Sequence, residues 1–138
     1  MNAANLLKPT HSIAALRMMA AIIFILHAGV RIYNNSMPGF GNFLESKGFP
    51  FGLYLAWTVT AFELAGGTLM FFHRLTKTFC IGETGILIIG IITVNRQNSL
   101  SVVGDSLGGA EYSFVLITVL LAVFFAERKA ERNITPVL

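Results

Sequence analysis

Residues 12–33 read SIAALRMMAAIIFILHAGVRIY, a run of apolar residues interrupted only by Arg17, His27 and Arg31. A helix needs about 20 predominantly apolar residues to cross ~30 Å of hydrocarbon, and this stretch has that length. Three more such runs follow, at 52–72, 75–94 and 108–127. The last is anchored on 112–126 and reaches spanning length only if 107–111 adds a turn or the tail continues the helix. Pro9, Pro38, Pro50 and Pro136 all fall outside the four runs. Barrel strands would appear as ~10-residue segments of alternating polarity, which these are not. The pattern predicts an all-α chain, a four-transmembrane-helix bundle in one integral membrane domain over 1–138, with the bilayer itself as a partner.

Composition supports this reading. Of the 138 residues 54% are hydrophobic and 12% charged, against about 25% charged in soluble domains, and the mean hydropathy is +0.68. A soluble fold of this length buries only about 70% of its unfolded surface, too little to hide so much apolar area. The single cysteine, Cys80, excludes an internal disulfide, a paired-cysteine redox motif and a cysteine-rich metal site. The three histidines lie at different depths, so no metal cluster or haem pair is expected. The net charge of +3 comes from ten scattered Lys and Arg. They form no basic stripe with interleaved aromatics, which argues against nucleic acid as a partner.

Orientation follows from the basic residues flanking the spans. Lys8, Arg17, Arg74, Lys77, Arg128, Lys129 and Arg132 fall on the side of both termini, and Arg31, Lys47 and Arg96 on the other. Both termini are therefore expected in the cytoplasm. The first run carries His27 and Arg31 and has no convincing A-x-A site, so it reads as a retained helix, not a cleaved signal. The connection at 73–75 is a tight antiparallel hairpin. The stretch 34–51, NNSMPGFGNFLESKGFPF, is amphipathic through Phe40, Phe43, Leu44 and Phe49; it lies at the interface or folds over the mouth of the bundle. The stretch 95–110 is polar and glycine-rich.

Ionisable side chains inside a span cost ~2.5–3.5 kcal/mol or more at its centre, so each asks for a reason. His27 and Arg31, four residues apart, share one face of the first helix. Arg31 either snorkels outward or joins a polar site. His27 is either a neutral imidazole bonded to a neighbouring helix or a ligand and proton-transfer group. Glu63 lies ~16 Å into the second span at 1.5 Å per residue, on a face with Val59, Thr60, Gly66 and Gly67. Small residues admit a neighbouring helix, so Glu63 should face the interior. There it either keeps its proton, bonded to backbone or to His27, or handles protons and orients a ligand. Glu83, ~12 Å into the third span, is expected to pair with Arg17 or Lys77, the alternative being contact with Glu63. Arg31, His27 and Arg96 above Glu63 would form a polar funnel suited to an anionic or quinone-like head group. Glu63 and His27 are accordingly the candidate catalytic residues, and Arg31, Arg96, Glu63 and His27 the candidate ligand-binding set. The glycines of PGFGNF and GDSLGG match neither a dinucleotide fingerprint nor a P-loop.

The order of these features resembles the DoxX family of small four-helix membrane proteins, over about residues 12–127. Arg17 opens the first helix; His27-Ala28-Gly29 near its end is followed by Arg31. The loop motif Gly39-Phe40-Gly41-Asn42-Phe43-Leu44 and then Gly48-Phe49-Pro50 come next. Glu63-Leu64-Ala65-Gly66-Gly67 lies in the second helix, before a short basic turn with Thr76 and Lys77. The resemblance implies a multi-pass protein of the bacterial cytoplasmic membrane. The family takes its name from a membrane subunit of a thiosulfate:quinone oxidoreductase, and other members are linked to redox or thiol-stress assemblies. His27 and Glu63 occupy the family's polar positions. The carboxyl end, FFAERKAER, departs from the Gly-rich ending often seen there.

Three functions follow. The first is an accessory, redox-linked component whose electron carrier is a bound quinone or a partner subunit, since the chain holds no intrinsic cofactor motif. The second is a structural subunit of a larger membrane assembly or homo-oligomer, without catalysis. The third, a small-solute transporter, fits least, because broken helices and internal repeats are not evident.

Overall fold

The structure is a computed structural model that describes residues 9–95 and 111–134. Arg96, the 96–110 part of the polar connection and the first residues of the fourth run lie outside the described residues. Five helices account for nearly all of the rest: α1 Pro9–Tyr33, α2 Met37–Ser46, α3 Gly52–Phe71, α4 Thr76–Asn95 and α5 Glu111–Ile134. Pro9 opens α1, where its missing N–H breaks no helical bond. Pro38 sits in the first turn of α2 for the same reason.

The four long helices pack in a ring. α1 lies against α3, α3 against α4, α4 against α5, and α5 closes back onto α1, while α2 lies on α3. The turn between α3 and α4 is short because His73 and Leu75 take left-handed backbone conformations, with φ of 59° and 51°. The His73 and Arg74 amides donate to the Met70 and Leu69 carbonyls, closing the end of α3. Arg17 at the start of α1 and Glu127 near the end of α5 both reach this turn. The two ends and the turn therefore share one pole of the bundle.

The interior is small and the outside is greasy. Ala20, Ala21, Phe24, Met70, Cys80, Leu116, Leu120 and Val123 form the buried cluster. Leu26, Val30, Trp57, Ile81, Ile89, Ile92, Val115 and Phe125 are half exposed or more, and exposed apolar surface of this kind marks contact with a partner or a membrane. Two helices are long and apolar enough to cross a membrane, Thr10–Tyr33 and Thr76–Thr93. α3 falls short of that mark because Glu63, Tyr54, Trp57, three threonines and two adjacent glycines dilute it. The described part of α5 begins at Glu111, so any stretch of it long enough to be counted takes in charged residues at its end.

The glycines beside Glu63 are where helices meet. A β-carbon on Gly66 would come within 2.4 Å of the Phe79 ring on α4, and one on Gly67 within 2.9 Å of the Ala21 carbonyl on α1. α4's Gly85 and Gly90 face open space. Gly67→Ala should therefore lower stability by about 1–3 kcal/mol through overpacking, whereas Gly90→Ala should leave it unchanged or slightly raised. Unfolding of the two variants in mild detergent by titrated denaturing detergent measures the difference.

Candidate functional site

At the pole opposite the α3–α4 turn, Arg31 in the last turn of α1 points inward. Its Nη1 donates to Glu63 Oε2 at 2.9 Å and to Thr60 Oγ1 at 2.7 Å. Thr60 and Glu63 are three residues apart and so lie one above the other on α3. The Thr60 hydroxyl in turn donates to the Met37 sulfur at 3.7 Å. The two charged side chains are 12% and 7% exposed, which makes this a buried ion pair. A buried pair holds together only where the geometry is good and the remaining polar atoms are satisfied; Thr60 supplies part of that.

α2 roofs the pair. The Arg31 guanidinium carbon lies 4.5 Å from the centre of the Phe40 ring, a cation–π distance, and Met37 is buried beside Thr60. Gly41 brings the roof down onto α3: a β-carbon there would lie 2.8 Å from the Leu53 α-carbon, and one on Gly52 would lie 2.1 Å from the Gly41 oxygen. The Gly52 amide at the start of α3 donates to Glu45 Oε1 at 3.1 Å. Of the two places open to 34–51, interface or bundle mouth, the structure takes the mouth. A flat amphipathic helix on the lipid surface would have left the Gly52 amide and Arg31 without these partners.

Snorkelling of Arg31 toward water does not occur, because Glu63 and Thr60 offer it two acceptors at hydrogen-bond distance. For the same reason Glu63 is neither alone nor a partner of His27. His27 is exposed and makes no hydrogen bond or ion pair among the described residues. Together with Ile23, Arg31, Ser36 and Tyr112 it lines an open cleft of about 480 Å³ on the outside of the bundle. Glu63 does not line that cleft, so Arg31 alone touches both the buried pair and the cleft.

Glu83 differs from expectation most. It is 1% exposed, and neither carboxyl oxygen has a hydrogen-bond partner. Arg17, one of its two expected partners, donates from Nη1 to the Met70 carbonyl and, at 3.1 Å, to Phe71. The C-terminal carbonyls of α3 carry the negative end of the helix dipole and capture the cation.

One pair went unforeseen. His73 Nε2 and Glu127 Oε1 meet at 2.7 Å, 54 residues apart in sequence, beside a second cleft of about 400 Å³ that Arg17 and Lys129 also line. No local spacing links the two residues. With His73 58% exposed, Glu127→Gln should change stability by no more than about 1 kcal/mol, read from the same unfolding titration.

The ring of helices and the inward polar groups on an apolar body define a small helical membrane protein. Residues 12–96 match the DoxX family, and the chain belongs to it. It is 31% identical over 102 residues to a protein of Bacillus subtilis (strain 168) described as "Putative oxidoreductase CatD", covering 74% of this chain and 69% of that one. No solved structure matches.

Proposed function

We propose that this chain is an accessory, redox-linked component of a bacterial inner-membrane assembly, and that its open cleft receives a quinone-type head group from the bilayer. On this reading all four long helices span the membrane, both termini are cytoplasmic, and the Arg31 pole faces outward. The observation that carries the reading is Arg31 itself. It is held by a buried carboxylate on one side and reaches a lipid-facing cleft, beside His27, on the other. A quinone carbonyl accepts hydrogen bonds, and Arg31 and His27 are donors at the edge of an apolar wall. The oxidoreductase wording attached to the Bacillus subtilis relative points the same way. Electrons would be carried by the bound quinone or by a partner subunit.

The test is a titration of the purified protein with a short-chain quinone. Saturable binding is expected, weakened up to about tenfold by His27→Ala, the equivalent of one net hydrogen bond. His27 is exposed and unbonded, so its loss leaves folding intact. Absence of saturable binding overturns the reading. The alternative, a structural subunit, draws on the same ion pair, since Arg31–Glu63 ties α1 to α3 without any ligand. Gentle extraction with a non-redox assembly and no quinone would select it.

A further inference from the structure

The polar atoms left over in the interior lie on one helix. Among the described residues, the buried side-chain oxygens without a hydrogen-bond partner are Glu83 Oε1 and Oε2, Thr84 Oγ1 and Thr76 Oγ1, all on α4. Threonines elsewhere in these helices solve the problem locally. Thr58, Thr68, Thr93 and Thr118 each donate to the carbonyl four residues back, at 2.6–2.9 Å. Thr84 does not. Thr76, Cys80 and Glu83 recur at i, i+4 and i+7 and so form one stripe. Cys80, in the middle, packs within the cluster of Ala20, Phe24, Leu120 and Val123. Glu83 thus lies deep between the helices, with its carboxyl away from both water and any donor.

A carboxylate in that position would carry the full penalty of an unpaired ion, several kcal/mol even after relaxation. The two arginines in the interior are committed, Arg31 to Glu63 and Thr60, Arg17 to the end of α3. The charged groups acting on Glu83 are Glu63 on α3 and Arg31 on α1, and Glu83 itself acts on Cys80 on its own helix. Glu127 on α5 acts on Cys80 in turn. The arginine among them is already paired with Glu63.

We propose that Glu83 is the proton-binding site of the bundle interior, an un-ionised carboxyl, while Glu63 is the anchor of Arg31. Sequence position alone nominates Glu63 for proton handling; the ion pair moves that role one helix over. The proposal stands on the burial and bonding of Glu83 and does not need the quinone reading.

An un-ionised carboxyl in an apolar setting reacts with an apolar carbodiimide such as dicyclohexylcarbodiimide. The acid proton passes to a carbodiimide nitrogen and the carboxyl oxygen adds to the central carbon. The O-acylisourea so formed rearranges to a stable N-acylurea that retains every atom of both reactants. Membranes carrying the full chain are treated at neutral pH, and the modified residue is mapped by mass spectrometry. Label is expected on Glu83 and not on Glu63, Glu45 or Glu127. Infrared spectroscopy of the purified wild type should show the carbonyl stretch of a protonated carboxylic acid, and Glu83→Gln, close to isosteric, should remove it. Label on Glu63 in place of Glu83, no label on Glu83, or a band that survives Glu83→Gln overturns the proposal. Quinone binding enters neither readout, so the two ideas fail separately.

Discussion

Replacing Arg31 with methionine will destabilise the protein by about 3–5 kcal/mol, because it leaves the Glu63 carboxylate buried without its cation. The pair is 2.9 Å long, with both partners nearly enclosed, and the guanidinium also serves Thr60 and the face of Phe40. Glu63→Leu should cost a comparable amount by stranding the arginine. The double variant Arg31→Met with Glu63→Leu should recover much of the loss, since replacing a whole buried pair with apolar side chains is often neutral or stabilising. Unfolding titrations of the four proteins close a double-mutant cycle. A single-variant cost below about 1 kcal/mol would place the pair with exposed ion pairs and remove the basis for treating Arg31 as held in place.

Gly41→Leu should lift α2 from the bundle. The neighbours its side chain would meet are the backbone of Leu53 and Gly52, at 2.8–3.2 Å from the first carbon alone, and backbone at the start of a helix cannot move aside as a side chain does. The cost should reach or exceed the ~1–3 kcal/mol of ordinary overpacking. Its more specific signature is local. Amide hydrogen exchange over 37–46 should accelerate toward that of an undocked helix, while the centres of α4 and α5 keep their protection. Uniform acceleration across all helices would mean that α2 does not dock independently. Gly39→Leu, a position with open space around it, is the matched control.

Several features of this architecture are readable without coordinates. The apolar runs at 12–33, 52–72 and 75–94 lie within one or a few residues of α1, α3 and α4, because helix length and proline placement are local properties. The inward aspect of Glu63 is equally legible from Thr60, Gly66 and Gly67 on its own face, and those glycines are where α1 and α4 approach. His27 and Arg31 show where such reasoning stops. Spacing puts them on one face, yet Arg31 turns inward and His27 remains exposed. Four residues advance a helix by about 400°, so the two differ by ~40° in direction. At the edge of a contact, that rotation and the reach of a guanidinium decide which side chain finds an interior acceptor. Glu83 shows a second limit. Arg17 and Lys77 were partners suggested by depth, but depth says nothing about the competing carbonyls at the end of α3.

The sequence by itself determined that the chain is helical, that its helices are apolar on their outer faces, and that it belongs to the DoxX family. Composition, helical period and motif order are all written locally along the chain. Only the tertiary structure decided which carboxyl is paired and which is left without a partner. That division depends on which helix faces which, and on distances of an ångström or two between residues some thirty positions apart. It is also what separates Glu63, an anchor, from Glu83, buried a helix away with no donor to meet it.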